Sequence, residues 1–106
     1  MQVLINSDNQ ISVNEELTKF VQEEVDRALG RFEERLTRVE VFLSDLNGPK
    51  TGSSADKRCV IEARPSGMQP VSASEDAGVI TEAVSGAVSK MKRQLESAFG
   101  RAADKR

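Results

Sequence analysis

VITEAVSGAVSKMKRQLESAFGR, Val79 to Arg101, is the stretch that decides how this chain folds. Apolar side chains at Ile80, Val84, Ala87, Val88, Met91, Leu95 and Ala98 recur at intervals of three and four, which gathers them on one stripe of a helix. Such a stripe has to be buried against a second layer. Lys90, Arg93 and Arg101 point away from it, so a basic edge runs beside the buried one. Downstream of Ala83 the acids are Glu96 and Asp104, against Lys90, Lys92, Arg93, Arg101, Lys105 and Arg106. Positive charge therefore collects at one end of a chain whose formal net charge is −2.

Immediately upstream, Ser74, Glu75 and Asp76 offer this helix a capping residue and two acids for the positive end of its dipole. Met68 to Ser74 is predicted to be a strand, with Pro70 confining it to a sheet edge or to its own start. Pro65-Ser66-Gly67 turns the chain into it from another strand, Lys57 to Arg64, which places Cys59, Ile61 and Ala63 on one face and Arg58, Val60, Glu62 and Arg64 on the other. Before that, DLNGPKTGSSAD, Asp45 to Asp56, concentrates Asn, Gly, Pro and Ser without periodicity and reads as a flexible loop within one domain.

TRVEVFLS, Thr37 to Ser44, alternates Val39, Val41 and Leu43 against Arg38, Glu40 and Phe42, the pattern of a half-buried strand. Leu17, Phe20, Val21, Val25, Ala28 and Phe32 form a second helical stripe, and the predicted helix runs from about Asn14 to Glu34. Asn14 is a good N-cap with Glu15 and Glu16 after it, while Ser12 and Glu15 offer a competing capping box. Gly30 costs about 1 kcal/mol relative to alanine inside a helix, so the helix is expected to fray or bend there. Gln2 to Ser7 is a short first strand, ended by Ser7, Asp8 and Asn9. The order is β-α-β-β-β-α, an α+β class domain: a four-stranded mixed sheet with two helices on one face, the first two strands parallel if adjacent and the rest an antiparallel meander.

At 106 residues the chain is expected to be one domain, residues 1–101, with a short basic tail, 102–106. A pI near 5.2 argues against bulk, nonspecific nucleic-acid binding, so a polyanion would have to meet a local patch. One cysteine excludes an internal disulfide framework, and the absence of histidine excludes a Cys/His zinc site, which fits a reducing cytoplasm. No basic-then-apolar leader and no run of about 18 apolar residues is present. Cys59 reads as a small buried hydrophobe, having neither a histidine partner nor a vicinal cysteine. Glu15-Glu16 and Glu23-Glu24 lie on a solvated helix face rather than across a cleft, and NGPKTGSS lacks phosphate-loop spacing. No catalytic residue, cofactor or metal is expected. Phe20, Phe32 and Phe99 fit core positions, which leaves Phe42 as the one candidate for base stacking.

LTKFVQEEVDRAL, RLTRVEVFLSD, DKRCVIEARPSGMQPVSAS and AVSGAVSKMKRQLESAFGR, in that succession, resemble the ribosome hibernation-promoting factor family, also called ribosome-associated inhibitors. The likeness runs from Met1 to about Arg101. It implies the β-α-β-β-β-α fold and a cytoplasmic, non-enzymatic factor, monomeric off the ribosome. Such a factor occupies the messenger and transfer-RNA channel of the small ribosomal subunit under stress, with no membrane or DNA partner. Carried over residue by residue, Lys90, Arg93 and Arg101 match basic positions of the last helix, Arg27 matches one on the first, and Lys57 and Arg58 resemble the basic entry to the third strand. Lys92 and Arg31 would join them in holding rRNA phosphates. The chain departs from the family pattern at Glu24, where a basic residue is usual, and at Ser97 and Phe99, in a stretch that is often lysine-rich. Ending at Arg106, it is expected to be a short form without the extra domain by which long members pair two ribosomes.

RNA recognition needs cations at phosphate spacing on a rigid support, and Lys90, Arg93 and Arg101 meet that need. The other reading of the same residues is a solvated face whose cations complement a helix C-terminus. A different class of function, a protein-interaction or regulatory module on the same fold, follows if the acidic departures have removed ribosome binding.

Overall fold

The structure, a computed structural model, describes residues 1–46 and 56–104, the last three as backbone. Strand β1 (Gln2–Ser7) leads into helix α1 (Glu15–Leu29), which continues as a 3-10 segment (Gly30–Arg35). Strands β2 (Leu36–Asp45), β3 (Lys57–Pro65) and β4 (Val71–Ala77) follow, and helix α2 (Ile80–Asp104) closes the order. The sheet runs β1-β2-β3-β4, with β1 parallel to β2 and the other neighbours antiparallel. This is the mixed sheet that the sequence pattern predicts. The loop expected between Asp45 and Asp56 lies outside the described residues except at its ends, where Leu46 N–H donates to the Asp56 carbonyl at 2.7 Å.

Alternation along each strand sorts the sheet into two faces. On the helix side, register lines up Val3-Val39-Ala63-Val71, then Ile5-Val41-Ile61-Ala73, then Leu43-Cys59-Glu75. The stripes of α1 (Val21, Val25, Leu29) and α2 (Val84, Ala87, Met91, Leu95) pack against these rows to form one core. Glu75 is the single acid in the last row. Its stem passes against Gly86, where an added Cβ would stand 2.5 Å from Glu75 Cγ, so the helix can approach β4 here only without a side chain.

Asn14 is the N-cap of α1: its side-chain oxygen accepts from Leu17 N–H at 2.8 Å, which decides against the Ser12 and Glu15 alternative. The α-helix stops at Leu29, and the break falls at Gly30, where 3-10 geometry takes over. Gly30 has an ordinary right-handed backbone, φ −57°, so its part is a weak helix propensity rather than an unusual conformation. Gly67, by contrast, sits at φ +73° in the turn between β3 and β4, a conformation glycine adopts without strain.

Two boundaries differ from expectation. The fourth strand is Val71–Ala77 rather than Met68 to Ser74, because Pro70 has no N–H to give a ladder and pairing begins only beyond it. Ser74, Glu75 and Asp76 do not cap α2; they are strand residues opposite Val60, Cys59 and Arg58. The long partner strand β3 supplies backbone hydrogen bonds that outweigh their preference for a helix start. The chain instead turns at Gly78-Val79, and the Val79 carbonyl accepts from the Glu82 and Ala83 N–H groups.

Candidate nucleic-acid interface

Contacts between the helices set the geometry of the charged surface. Ser85 Oγ donates to Glu24 Oε1 at 2.9 Å, Arg31 Nη2 pairs with Glu96 Oε2 at 2.9 Å, and the Phe32 and Phe99 rings lie 5.3 Å apart. Residue numbers climb together along both helices, so α1 and α2 run side by side in the same direction. Their C-terminal ends, each carrying a partial negative charge from unpaired carbonyls, therefore lie together. Arg27, Arg31 and Arg35 reach that end from α1 and its 3-10 extension and Arg101 from α2, while Lys92 and Arg93 sit at the middle of α2, level with the end of α1. Glu15, Glu16 and Glu82 occupy the first turns at the opposite end. Asp26, Glu33 and Glu34 are exposed on the same stretch as Arg27, Arg31 and Arg35, so the parallel helix pair gathers cations interleaved with carboxylates.

Within this cluster the cations are not equally available. Arg27 bonds Glu24 at 2.8 Å, and that hydrogen bond holds the Glu24 carboxyl below its ordinary value of 4.5 against the opposing effect of burial. Arg31 is neutralised by Glu96 and lies with its Cζ 4.7 Å from the Phe32 ring centroid. Arg101 donates to Ser97 Oγ, one turn earlier on α2, and borders an open groove of about 920 Å3 between α2 and the β3-β4 turn, where Gln94, Ser72 and Gln69 also line the wall. Lys92 and Arg93 form no ion pair among the described residues, and Arg93 is exposed.

Three of the sequence-selected cations lie elsewhere. Lys90 leans over the sheet edge, where Nζ stands 2.6 Å from Glu75 Oε1 and donates to the Ser74 carbonyl at 2.9 Å. Lys57 sits between Asp56 at 2.9 Å and Asp45 at 3.3 Å, both carboxylates nearly buried, and the bond to Asp56 raises its pKa. Arg58 lies on the helix-free face of the sheet and forks onto Asp76 at 2.8 and 3.0 Å, which raises the arginine pKa and lowers that of Asp76. Lys57 and Arg58 pair with the end of β4, where α2 begins. With about 1.5 Å of rise per residue, Arg101 lies about 30 Å further along that helix. The structure therefore brings together Arg27, Arg31, Lys92 and Arg93, sets Arg101 on the β4 side of the same end, and leaves Lys90, Lys57 and Arg58 apart.

Arg35 was not among the cations selected from sequence. Its guanidinium Cζ lies 3.6 Å from the centroid of the Phe99 ring, and the residue is exposed. The four-residue spacing of Arg27, Arg31 and Arg35 was the available signal. Its stacking partner lies 64 positions away, and no local pattern marks it. Phe42, the candidate for base stacking, stands 40% exposed on the helix-free sheet face beside Val60, away from these cations.

The family model described as "Sigma 54 modulation protein / S30EA ribosomal protein" matches residues 4–102. A solved structure of a ribosomal subunit interface protein from Coxiella burnetii is similar with a TM-score of 0.77 at 10% sequence identity, covering 94% of this chain and 99% of that one. The N-terminal domain of Thermus thermophilus Protein Y is similar with a TM-score of 0.73 at 18% identity, covering 92% of this chain and 98% of that one. At these identities both likenesses establish the fold alone. No curated protein matches the chain. Among the described residues no helix is long and apolar enough to cross a membrane, and no group of Cys, Asp and Glu side chains is arranged to hold a metal ion.

Proposed function

This chain belongs to the Sigma 54 modulation protein / S30EA ribosomal protein family, and from that premise we propose that it is a non-enzymatic, ribosome-associated factor. It binds small-subunit rRNA in the messenger and transfer-RNA channel, inhibits translation and preserves idle ribosomes under stress. The observation that carries this reading is the row of cations along the parallel helix pair, from Lys92 and Arg93 at the middle of α2 to Arg101 near its end, with Arg27 and Arg31 on α1 and its extension. Phosphate contacts supply most of the affinity for RNA, and cations on rigid helices supply those contacts. The Coxiella burnetii protein of the same fold is named a ribosomal subunit interface protein, and the proposal extends that association to this chain. Lys92 and Arg93, free of ion pairs among the described residues, are its first candidates for phosphate contact; Arg27 and Arg31 would exchange Glu24 and Glu96 for phosphate.

Those two acids favour a second reading, in which the helix surface docks a protein. Glu24 and Glu96 neutralise Arg27 and Arg31 internally, and opposite charges interleaved on one surface suit a protein partner as well as an RNA.

Co-sedimentation of the purified protein with small subunits across a salt series separates the two. The first reading expects saturable binding that falls steeply with salt. It also expects the double reversal Lys92→Glu/Arg93→Glu to weaken binding by roughly 100-fold or more, taking about 1.5–3 kcal/mol per charged contact. Reversing Lys90 would be a poorer test, because it also breaks the contact with Glu75. Absence of binding at low salt, with protein partners recovered in its place, would establish the second reading.

A further inference from the structure

We infer that Arg35, its guanidinium seated over the Phe99 ring, is a preset fork for one RNA phosphate at the tip of the helix pair, an inference that rests on the proposed function. Four side chains make the arrangement. Phe32 and Phe99 are nearly buried, 5.3 Å apart and tilted by 43°, and each ring carries an arginine: Arg31 over Phe32 and Arg35 over Phe99. The two arginines differ in one respect. Glu96 cancels the charge of Arg31 at 2.9 Å, whereas Arg35 forms no ion pair among the described residues. The structure therefore seats one guanidinium over a ring without an ion pair, with Glu33 and Glu34 exposed on the same 3-10 segment.

A guanidinium stacked on a ring keeps its N–H groups in the plane parallel to that ring, so stacking leaves its hydrogen-bonding edge open. That edge matches two oxygens of a phosphate. Most of the rotamer freedom an arginine loses on binding has already been given up to the ring, which lowers the entropic cost of contact. Location adds a second reason. Arg35 ends the 3-10 segment beside the C-terminal part of α2, where helix carbonyls repel an anion, so a phosphate reaching this end requires a cation held there. Phe99 supplies no charge itself; it positions the group that does.

The competing explanation is that Arg35 merely covers Phe99 and complements the helix ends. Three variants and a control distinguish them, read by small-subunit co-sedimentation at several salt concentrations together with thermal melting. Arg35→Met keeps an apolar cover over the ring without charge, Arg35→Lys keeps charge without the planar fork, and Phe99→Leu keeps the core filled without the platform. Arg64→Met, on the helix-free sheet face, is the control. The inference expects Arg35→Met to melt like the unaltered protein, to bind roughly 10- to 100-fold more weakly, and to lose about 0.7–0.9 from the slope of log affinity against log salt. Arg35→Lys and Phe99→Leu should each bind more weakly than the unaltered protein, with Arg64→Met unchanged. Unchanged affinity and slope in Arg35→Met would overturn the inference and leave the proposed function standing. Full affinity in Arg35→Lys would also overturn it, because a point charge would then suffice. No binding by the unaltered protein would remove the proposed function and this inference with it.

Discussion

Glu24 shows at the level of one residue how an acid can sit in a basic cluster and still belong there. Its carboxylate accepts from Arg27 within α1 and from Ser85 across the helix pair, and the Arg27 bond is the main reason its pKa is depressed. A carboxyl whose folded pKa lies below its unfolded one stabilises the fold above the ordinary glutamate range, and that contribution disappears as pH falls through the folded value. Glu24→Gln should therefore make stability fall less steeply on acidification, measured by urea unfolding above and below the carboxylate range. An unchanged acid limb would show that Glu24 contributes nothing to the linkage. Cys59 is the opposite case. Fully buried in mid-strand, with burial pushing its thiol up to about 12, it stays protonated at neutral pH and serves as packing. That role was legible in the alternation of β3, since a strand with one apolar face leaves a cysteine on that face nowhere else to go.

Among the elements, the contact of α2 with β4 depends on Gly86, Glu75 and Lys90 acting together. Gly86 lets the Glu75 stem through, and Glu75 in turn holds Lys90 beside the Ser74 carbonyl at the free edge of the sheet. A charged side chain laid over a sheet edge discourages pairing with another chain, which gives Lys90, reaching from α2 over β4, a structural task beside any contact with RNA. Gly86→Ala gains about 1 kcal/mol of helix propensity but forces Glu75 aside, at an overpacking cost of about 1–3 kcal/mol. We expect net destabilisation by about 1 kcal/mol in the native background. The same substitution in Glu75→Ala should be less costly by about 1–2 kcal/mol, because the contacts with Cγ and Cδ are gone and only the Cβ, at 3.2 Å, remains close. Equal effects in the two backgrounds, measured by urea unfolding, would disprove the coupling. Sequence could not reveal this arrangement: Ser74, Glu75 and Asp76 carry helix-start chemistry, and only pairing with β3 turns them into strand.

Across the whole molecule, two parallel helices and four strands share one core, to which every element but β1 contributes buried side chains, β1 packing partly buried Val3 and Ile5 against it. Such a domain should unfold in a single step. The prediction is that Cys59 alkylation under increasing denaturant follows the same transition as helix loss by circular dichroism; labelling that precedes it would show that the sheet opens independently. Sequence by itself determined the element order, the buried faces and the excess of cations late in the chain. Periodicities of 2.0 and 3.6 residues are local, and they are imposed by the need to bury one face of each element. Tertiary structure decided where strand gave way to helix before α2, and which cations are drawn into ion pairs. The parallel course of the helices set Arg31 against Glu96 and laid Arg35 on Phe99, while sheet pairing drew Lys90 to Glu75 and Arg58 to Asp76. Charge compensation acts over a few ångströms in space, between residues that the sequence places tens of positions apart.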